Sequence, residues 1–312
     1  MGWLRELERL SKEREKMQEL EQATHEVQDY ENYVDLLQSV HKECRDIWDW
    51  EAIGCSELPD RPARGRRHEE AARTKLEGFK PGVFDKMLSR TESKREELLA
   101  AVGEARQADE QEYQEALQTY NKEYAEWETA CALASGIAAG SVQACLDAIK
   151  QADPFSEISK LGSSIEFEAE KTSLIQATLH VNSAEVIPSE ERRLLKTGKV
   201  SVKEMPKTRF YALHQDYVCS CVLRVARELF ALLPTDMVLV HAVGDLLNTK
   251  TGYMEEAAIL SVAIPRETLE RLNLDMLDPS DSMSNFVHRV AFKKYKGFGA
   301  VERLSPSDFQ IA

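Results

Sequence analysis

The chain has 312 residues, of which 30% are charged and 43% are apolar, which is typical of a folded protein with a sizeable core. The net charge of −14 is uneven: residues 1–160 carry 22 basic against 34 acidic residues, and residues 161–312 carry 18 against 20. The net charge is therefore −12 in the N-terminal half and −2 in the C-terminal half. Because an acidic surface repels phosphates, the first value argues against a nucleic-acid interface in the N-terminal half.

The first residues, MGWLRELERL, are charged from the start and predict no signal peptide. The longest weakly polar run, Cys131–Gly140, is too short to cross a bilayer. We therefore expect a cytoplasmic protein with no membrane association, whose six cysteines are reduced thiols.

Two long helices are predicted in the first 150 residues. The first runs from Trp3 to about Ile47 without Pro or Gly, and the second from about Thr91 to Leu133. Apolar residues alternate three and four apart in both. In the first helix they are Leu20, Ala23, Val27, Tyr30, Val34 and Leu37. In the second they are Tyr113, Leu117, Tyr120, Tyr124, Trp127 and Cys131. This spacing is that of a coiled-coil seam.

The segment between these helices is rich in Pro, Gly and Arg from Trp48 to Arg67, then has a short helix from about Glu69 and a second break at Pro81–Phe84. Two seams joined by a compact tip predict an antiparallel, coiled-coil-like helical hairpin, with a short helix completing a domain of residues 1–150. Because a second copy of the chain can also fill such a seam, self-association is a further expectation.

The pattern changes to strands and helices after residue 150. SIEFEAE and SLIQATLHV (164–170 and 173–181) alternate like paired strands, and GKVSVKEMP (198–206) predicts another strand. A helix apolar on most sides covers 215–233. The turn NTKTG then joins two strands, and VAFKKYKGFGAVE (290–302) predicts a final one. We expect a second domain, 151–312, of class α+β, with one buried central helix on a sheet.

Cys219 and Cys221 lie two residues apart on the predicted central helix. Side chains two apart on a helix point about 200° away from each other, so these thiols do not share a metal or form a disulfide. His41, Cys44 and Cys55 offer three ligands where a structural zinc needs four. We expect all five residues to serve packing, and predict no metal site.

Catalytic motifs are scarce in this sequence. It contains no Walker A loop, no GxGxxG, no HExxH and no GxSxG. Asp245, Glu255 and Glu256 follow the order of a PD-(D/E)xK nuclease, but Ala257 and Ala258 follow Glu256 and the required Lys is absent. We therefore predict no catalytic residue and no cofactor, which favours a non-enzymatic protein.

Basic residues in two segments form the best candidate binding surface. The first segment contributes Arg192, Arg193, Lys196, Lys199, Lys203, Lys207 and Arg209. The second contributes Arg289, Lys293, Lys294 and Lys296, interleaved with Phe292, Tyr295 and Phe298. Charge beside aromatic rings suits nucleic acid or another anion. The alternative is a solvated loop and a sheet edge protected by lysines. If the second segment is a strand, Lys294 and Lys296 face one side and Lys293 and Tyr295 the other.

Several long segments carry a resemblance: DWEAI, KPGVFDKML, QDYVCSCVLRVARELFALLP and ILSVAIPRETLERLN, followed by LDPSDSMSNFVH. They resemble a set of uncharacterised bacterial proteins, over about 20–301. Those proteins often carry this hairpin and tail behind a small N-terminal β domain of unknown function, and we do not expect such a domain within residues 1–312. The resemblance implies a bacterial source and no particular activity. Two hypotheses follow: an interaction or scaffold protein whose helical arm binds a partner or itself, and a nucleic-acid-associated effector using the basic C-terminal face.

Overall fold

The computed structural model describes residues 2–80, 91–155, 163–181 and 186–309. Their contacts form two compact units, one of residues 1–48 and 139–312 and one of residues 49–138. We call the first the sheet unit and the second the helical arm. This grouping differs from the predicted boundary at residue 150, because it places the first 48 residues with the sheet.

The described helices and strands follow one another along both units. The helices are α1 (Gly2–Ser39), α2 (Trp50–Gly54), α3 (Arg67–Glu77), α4 (Thr91–Ala138), α5 (Val142–Ala152), α6 (Lys207–Leu232), α7 (Arg266–Glu270) and α8 (Pro279–Ser282). The strands are β1 (Ser164–Lys171), β2 (Leu174–His180), β3 (Glu190–Leu194), β4 (Val200–Glu204), β5 (Met237–Leu247), β6 (Met254–Pro265), β7 (Val287–Lys293) and β8 (Gly297–Gly299). Together they confirm the α+β class.

The main sheet of the sheet unit has the strand order β1-β2-β5-β6-β7-β8, and β3 and β4 form a separate hairpin. All neighbours are antiparallel except β2 and β5, whose parallel pairing is made possible by the long connection that contains α6. The middle strands are buried on both faces over residues 237–243 and 258–264. One side packs against α6, and Leu304 joins Leu239 and Ala263 in a cluster of the core.

Helix α6 is the buried central helix that the sequence predicts. Its side chains are buried on nearly all sides from Leu213 to Leu232. Two charged residues are buried with them and form an ion pair: the Arg224 guanidinium lies 2.8 Å from the Glu228 carboxylate. The helix therefore organises the core of the sheet unit.

Helix α1 packs within the sheet unit against α6, β3 and β4. Of its predicted seam residues, Ala23, Val27 and Leu37 are buried. Tyr33 donates a hydrogen bond to the Val186 carbonyl at 2.7 Å. The hydrophobic spacing of α1 is thus satisfied by its own unit.

The helical arm pairs α4 with the chain segment that precedes it. Cys131 contacts the Ile53 carbonyl, Trp127 donates to the Ser56 carbonyl at 3.2 Å, and Asp109 accepts from the His68 amide at 3.0 Å. As residue numbers rise from 53 to 68 they fall from 131 to 109, so the two segments run antiparallel. The arm is a helical hairpin in its own right. The predicted break at Pro81–Phe84 lies outside the described residues.

Candidate functional site

The basic residues of the first predicted segment are partly neutralised by ion pairs. Arg192 and Arg193 lie on strand β3, which the sequence pattern did not predict. Arg192 lies 2.7 Å from Glu26 of α1, and the buried carboxylate of Glu191 binds Arg193 at 3.0 Å and Arg209 at 3.2 Å. The pairs of Arg192 and Arg209 link the β3–β4 hairpin to α1 and α6, and all three arginines are less available to a ligand.

The lysines of that first segment are solvent-exposed. They are Lys196, Lys199, Lys203 and Lys207. In the second segment, Arg289 pairs with Asp308 at 2.8 Å and with Glu302 at 3.6 Å. The predicted basic surface is therefore divided, and Lys293, Lys294 and Lys296 remain as its compact part.

A tight turn, and not the expected strand, carries these three lysines. The Lys296 amide donates to the Lys293 carbonyl at 2.8 Å, and strand β7 ends at Lys293. Gly297 follows with φ +75°, a left-handed conformation that suits a three-residue hairpin loop. The prediction that Lys294 and Lys296 share one strand face was wrong, because KYKG favours a turn at this point. Lys294 and Tyr295 instead lie at the corner of the turn.

A second hairpin tip, between β5 and β6, adjoins the first. Here the predicted NTKTG turn is confirmed: the Gly252 amide donates to the Asn248 carbonyl at 2.7 Å, and Gly252 has φ +76°. Asn248 also accepts from the Lys250 amide at 2.9 Å. The turn thereby presents Lys250, a basic residue outside the two predicted basic segments.

The two tips enclose a cleft of about 750 Å³ with α6 along one side. Its lining includes Tyr211, Leu247, Lys250, Tyr295, Lys296 and Phe298. Tyr295 is 74% exposed and Leu247 is 59% exposed, so the rim has apolar surface beside its charges. A cleft of this size, with aromatic walls and a few charged groups, is typical of a ligand site. Sequence spacing cannot reveal it, because its residues come from three distant segments.

One carboxylate of the lining, Glu255, has a structural role. It accepts hydrogen bonds from Asn248 at 2.8 Å and from Thr251 at 2.9 Å. These bonds lower the pKa of Glu255 and keep it ionised at neutral pH. Glu255 therefore orders the tip between β5 and β6, while the lysines supply the remaining charge of the cleft.

The two cysteines of the central helix lie in the core, as their apolar surroundings predict. Burial raises the pKa of Cys221 to about 12 and also raises that of Cys219. His41 is buried too: its Nδ1 lies 2.8 Å from the Ser220 hydroxyl and its Nε2 lies 3.0 Å from the Leu274 carbonyl. Both ring nitrogens of His41 have partners, so this histidine is not arranged as a metal ligand.

The acidic residues that follow the order of a nuclease motif lie close together in the described part of the chain. Asp245 and Glu256 are cross-strand neighbours near the turn that joins β5 to β6, and His180 lies 2.9 Å from Glu256. This arrangement still lacks the lysine that the nuclease motif requires.

His68, Asp109 and Glu112 place ligand atoms within 4.8 Å of one another in the arm. Asp109 uses its oxygens to accept from the backbone amides of His68 at 3.0 Å and of Glu69 at 2.8 Å. It therefore caps the start of α3 from a neighbouring helix.

Comparison of the chain with protein-family models, with curated proteins and with solved structures gives no match. In the described part of the chain, no helix has the length and apolar character needed to cross a membrane.

Proposed function

We propose that the protein is an interaction protein that binds a partner protein along its helical arm. The observation that supports this is the partial exposure of four aromatic residues on one face of α4, which we call the aromatic stripe. Tyr113, Tyr120, Tyr124 and Trp127 are all half-buried, so part of each side chain remains open to solvent. A long stripe left half-covered is the kind of surface on which a second helix packs.

The contacts within the arm fix these rings in place. Tyr124 stacks at tilted angles between Tyr120 and Trp127, with ring centroids 5.9 and 5.8 Å away. The Arg64 guanidinium lies 4.9 Å above the Tyr113 ring. Rings held in this way lose little conformational entropy when a partner binds, which favours affinity.

The charge of α4 favours a basic partner over a second copy of the chain. Residues 91–138 contain eleven acidic residues (Glu and Asp) against four basic ones, a balance of −7. Two such helices side by side repel each other, whereas a basic surface is attracted. Glu123 and Glu128 flank the stripe and are exposed, so they are suited to such pairing.

Quantitative affinity purification of the full chain from its native host tests this proposal. We expect the Glu123→Lys/Glu128→Lys variant to lose a specific protein that the parent retains. The matched control, Glu115→Lys/Glu126→Lys, changes the charge equally on the opposite side of the same helix and should retain it. Nuclease treatment should not release the partner. Equal recovery of every protein by both variants would refute the proposal, provided that circular dichroism shows both to be folded.

Nucleic-acid binding by the sheet unit is a second candidate function. The specific observation in its favour is the cleft between the two hairpin tips, where lysines and aromatic rings meet.

A further inference from the structure

We infer that the cleft between the two hairpin tips binds single-stranded nucleic acid, with bases stacked on Tyr295 and phosphates held by Lys250, Lys294 and Lys296. This inference rests on the second candidate function and is independent of the partner proposed for the arm. It adds Lys250 and the cleft to the basic residues that the sequence predicted.

The position of Tyr295 is the first argument. It lies at the corner of the turn closed by the Lys296 amide and the Lys293 carbonyl, so its ring projects from the protein. The ring is 74% exposed and also lines the cleft. A large ring left in water beside a concave surface gains buried area when a base stacks on it, and such stacking contributes about 1–3 kcal/mol per base.

The second argument is that further aromatic side chains of the lining are packed against the protein. Tyr211 of α6 packs against Gly297, where an added Cβ would lie only 2.7 Å from the ring. Phe298 forms the buried base of the cleft, with ring centroids 5.2 Å from both His214 and Phe292. The cleft thus has a rigid aromatic side and an exposed aromatic rim, which suits a flat ligand.

The distribution of charge is the third argument. Lys296 of one tip and Lys250 of the other both line the cleft, and Lys294 lies in the turn beside Lys296. Glu255, a carboxylate of the lining, keeps its negative charge while it accepts from Asn248 and Thr251, and the two lining lysines outnumber it. A phosphate backbone that crosses the cleft therefore meets positive charge at each edge, although the chain as a whole is acidic.

The aromatic lining distinguishes a single strand from a duplex. Bases in a duplex are stacked on each other and do not present their faces to protein side chains. Bases of a single strand are free to stack on tyrosine rings. A cleft of about 750 Å³ also matches a short stretch of strand better than the wide surface of a double helix.

Fluorescence anisotropy with a labelled oligothymidine tests the inference on the full chain at about 50 mM salt, where electrostatic attraction is strong. We expect Tyr295→Ala to weaken binding by about 5- to 100-fold. We expect Lys294→Glu/Lys296→Glu to abolish most binding and to reduce the salt slope of log K by about 1.4, the value for two lost phosphate contacts on a single strand. The matched control is Lys199→Glu/Lys203→Glu, which changes equal charge near β4 and should weaken binding by less than about threefold at moderate salt.

Three results would overturn the inference, once melting curves show that the variants are folded. The first is no binding of oligothymidine by the parent. The second is equal affinity for a duplex of the same length, or binding unchanged by Tyr295→Ala, which would indicate general attraction of a polyanion without stacking. The third is equal weakening by the β4 control, which would place the contacts elsewhere. Loss of oligonucleotide binding leaves the arm proposal intact, because that proposal is tested by protein recovery.

Discussion

His214 should make the sheet unit sensitive to mild acid. It lies on α6, is buried, and its Nε2 has no hydrogen-bond partner among the described residues. Burial lowers the pKa of His214 from 6.5 to about 4. The unfolded chain therefore takes up a proton first as the pH falls, and the free energy of unfolding decreases below about pH 6.5.

The magnitude follows from the size of that pKa shift. A difference of about 2.5 between the folded and unfolded pKa corresponds to about 3.4 kcal/mol when the pH is below both values. At pH 5 only part of this is lost, about 2 kcal/mol, and at pH 7 almost none. His241 is buried in the same unit with its pKa also lowered to about 4, and it adds a similar loss.

The His214→Leu variant isolates the contribution of His214. Urea unfolding followed by circular dichroism, at pH 7 and pH 5, gives the pH effect for the parent and for the variant. We expect the parent to lose about 2 kcal/mol more than the variant between the two pH values. Effects of His241 and of the helical arm are present in both proteins and cancel. If both proteins lose the same stability within about 0.5 kcal/mol, His214 is not neutral and buried, and the reasoning fails.

Five other substitutions, at four positions, test separate parts of the structure. Cys219→Ala and Cys221→Ala should each lower the free energy of unfolding by about 1–2 kcal/mol. Neither should change the zinc content, measured by atomic emission. If the parent holds stoichiometric zinc and either variant loses it, the prediction is wrong. Asp109→Ala removes the acceptor of two amide hydrogen bonds and should lower the melting temperature more than Asp109→Asn, in a thermal scan of both; equal melting would exclude the capping role. Gly297→Ala should cost at least about 1–2 kcal/mol in urea unfolding, because of the left-handed backbone and the contact with Tyr211, and a neutral result would contradict the turn geometry.

Much of the secondary structure was predictable because it depends on local periodicity. The stripe of α1, the apolar circumference of α6 and the NTKTG turn all appear where the pattern indicates them. Strand β3 was missed because its sequence, EERRL, is charged and short, and it is stabilised by pairing with β4 and by ion pairs to α1 and α6. No local pattern contains that information.

The candidate site was predictable only in part. Lys293, Lys294 and Lys296 stand out in the sequence as a basic group beside aromatic residues. Lys250 and Tyr211 do not, because each is an ordinary residue in its own segment. They line the cleft because the order β5-β6-β7-β8 brings two hairpin tips to the same end of the sheet, next to the start of α6.

The sequence by itself determined which long segments are helical, that Cys219 and Cys221 belong to the core, and that the class is α+β, since each depends on how apolar residues repeat along a few turns. It did not predict the short helix α2. Only the tertiary structure decided which surface each stripe covers. A seam on a helix specifies an apolar partner but not its identity, so α1 joins the sheet unit while α4 pairs with residues 49–77. The same holds for charge: Arg192 and Arg209 form ion pairs with Glu26 and Glu191, which are distant from them in sequence and are brought near by the packing of the chain.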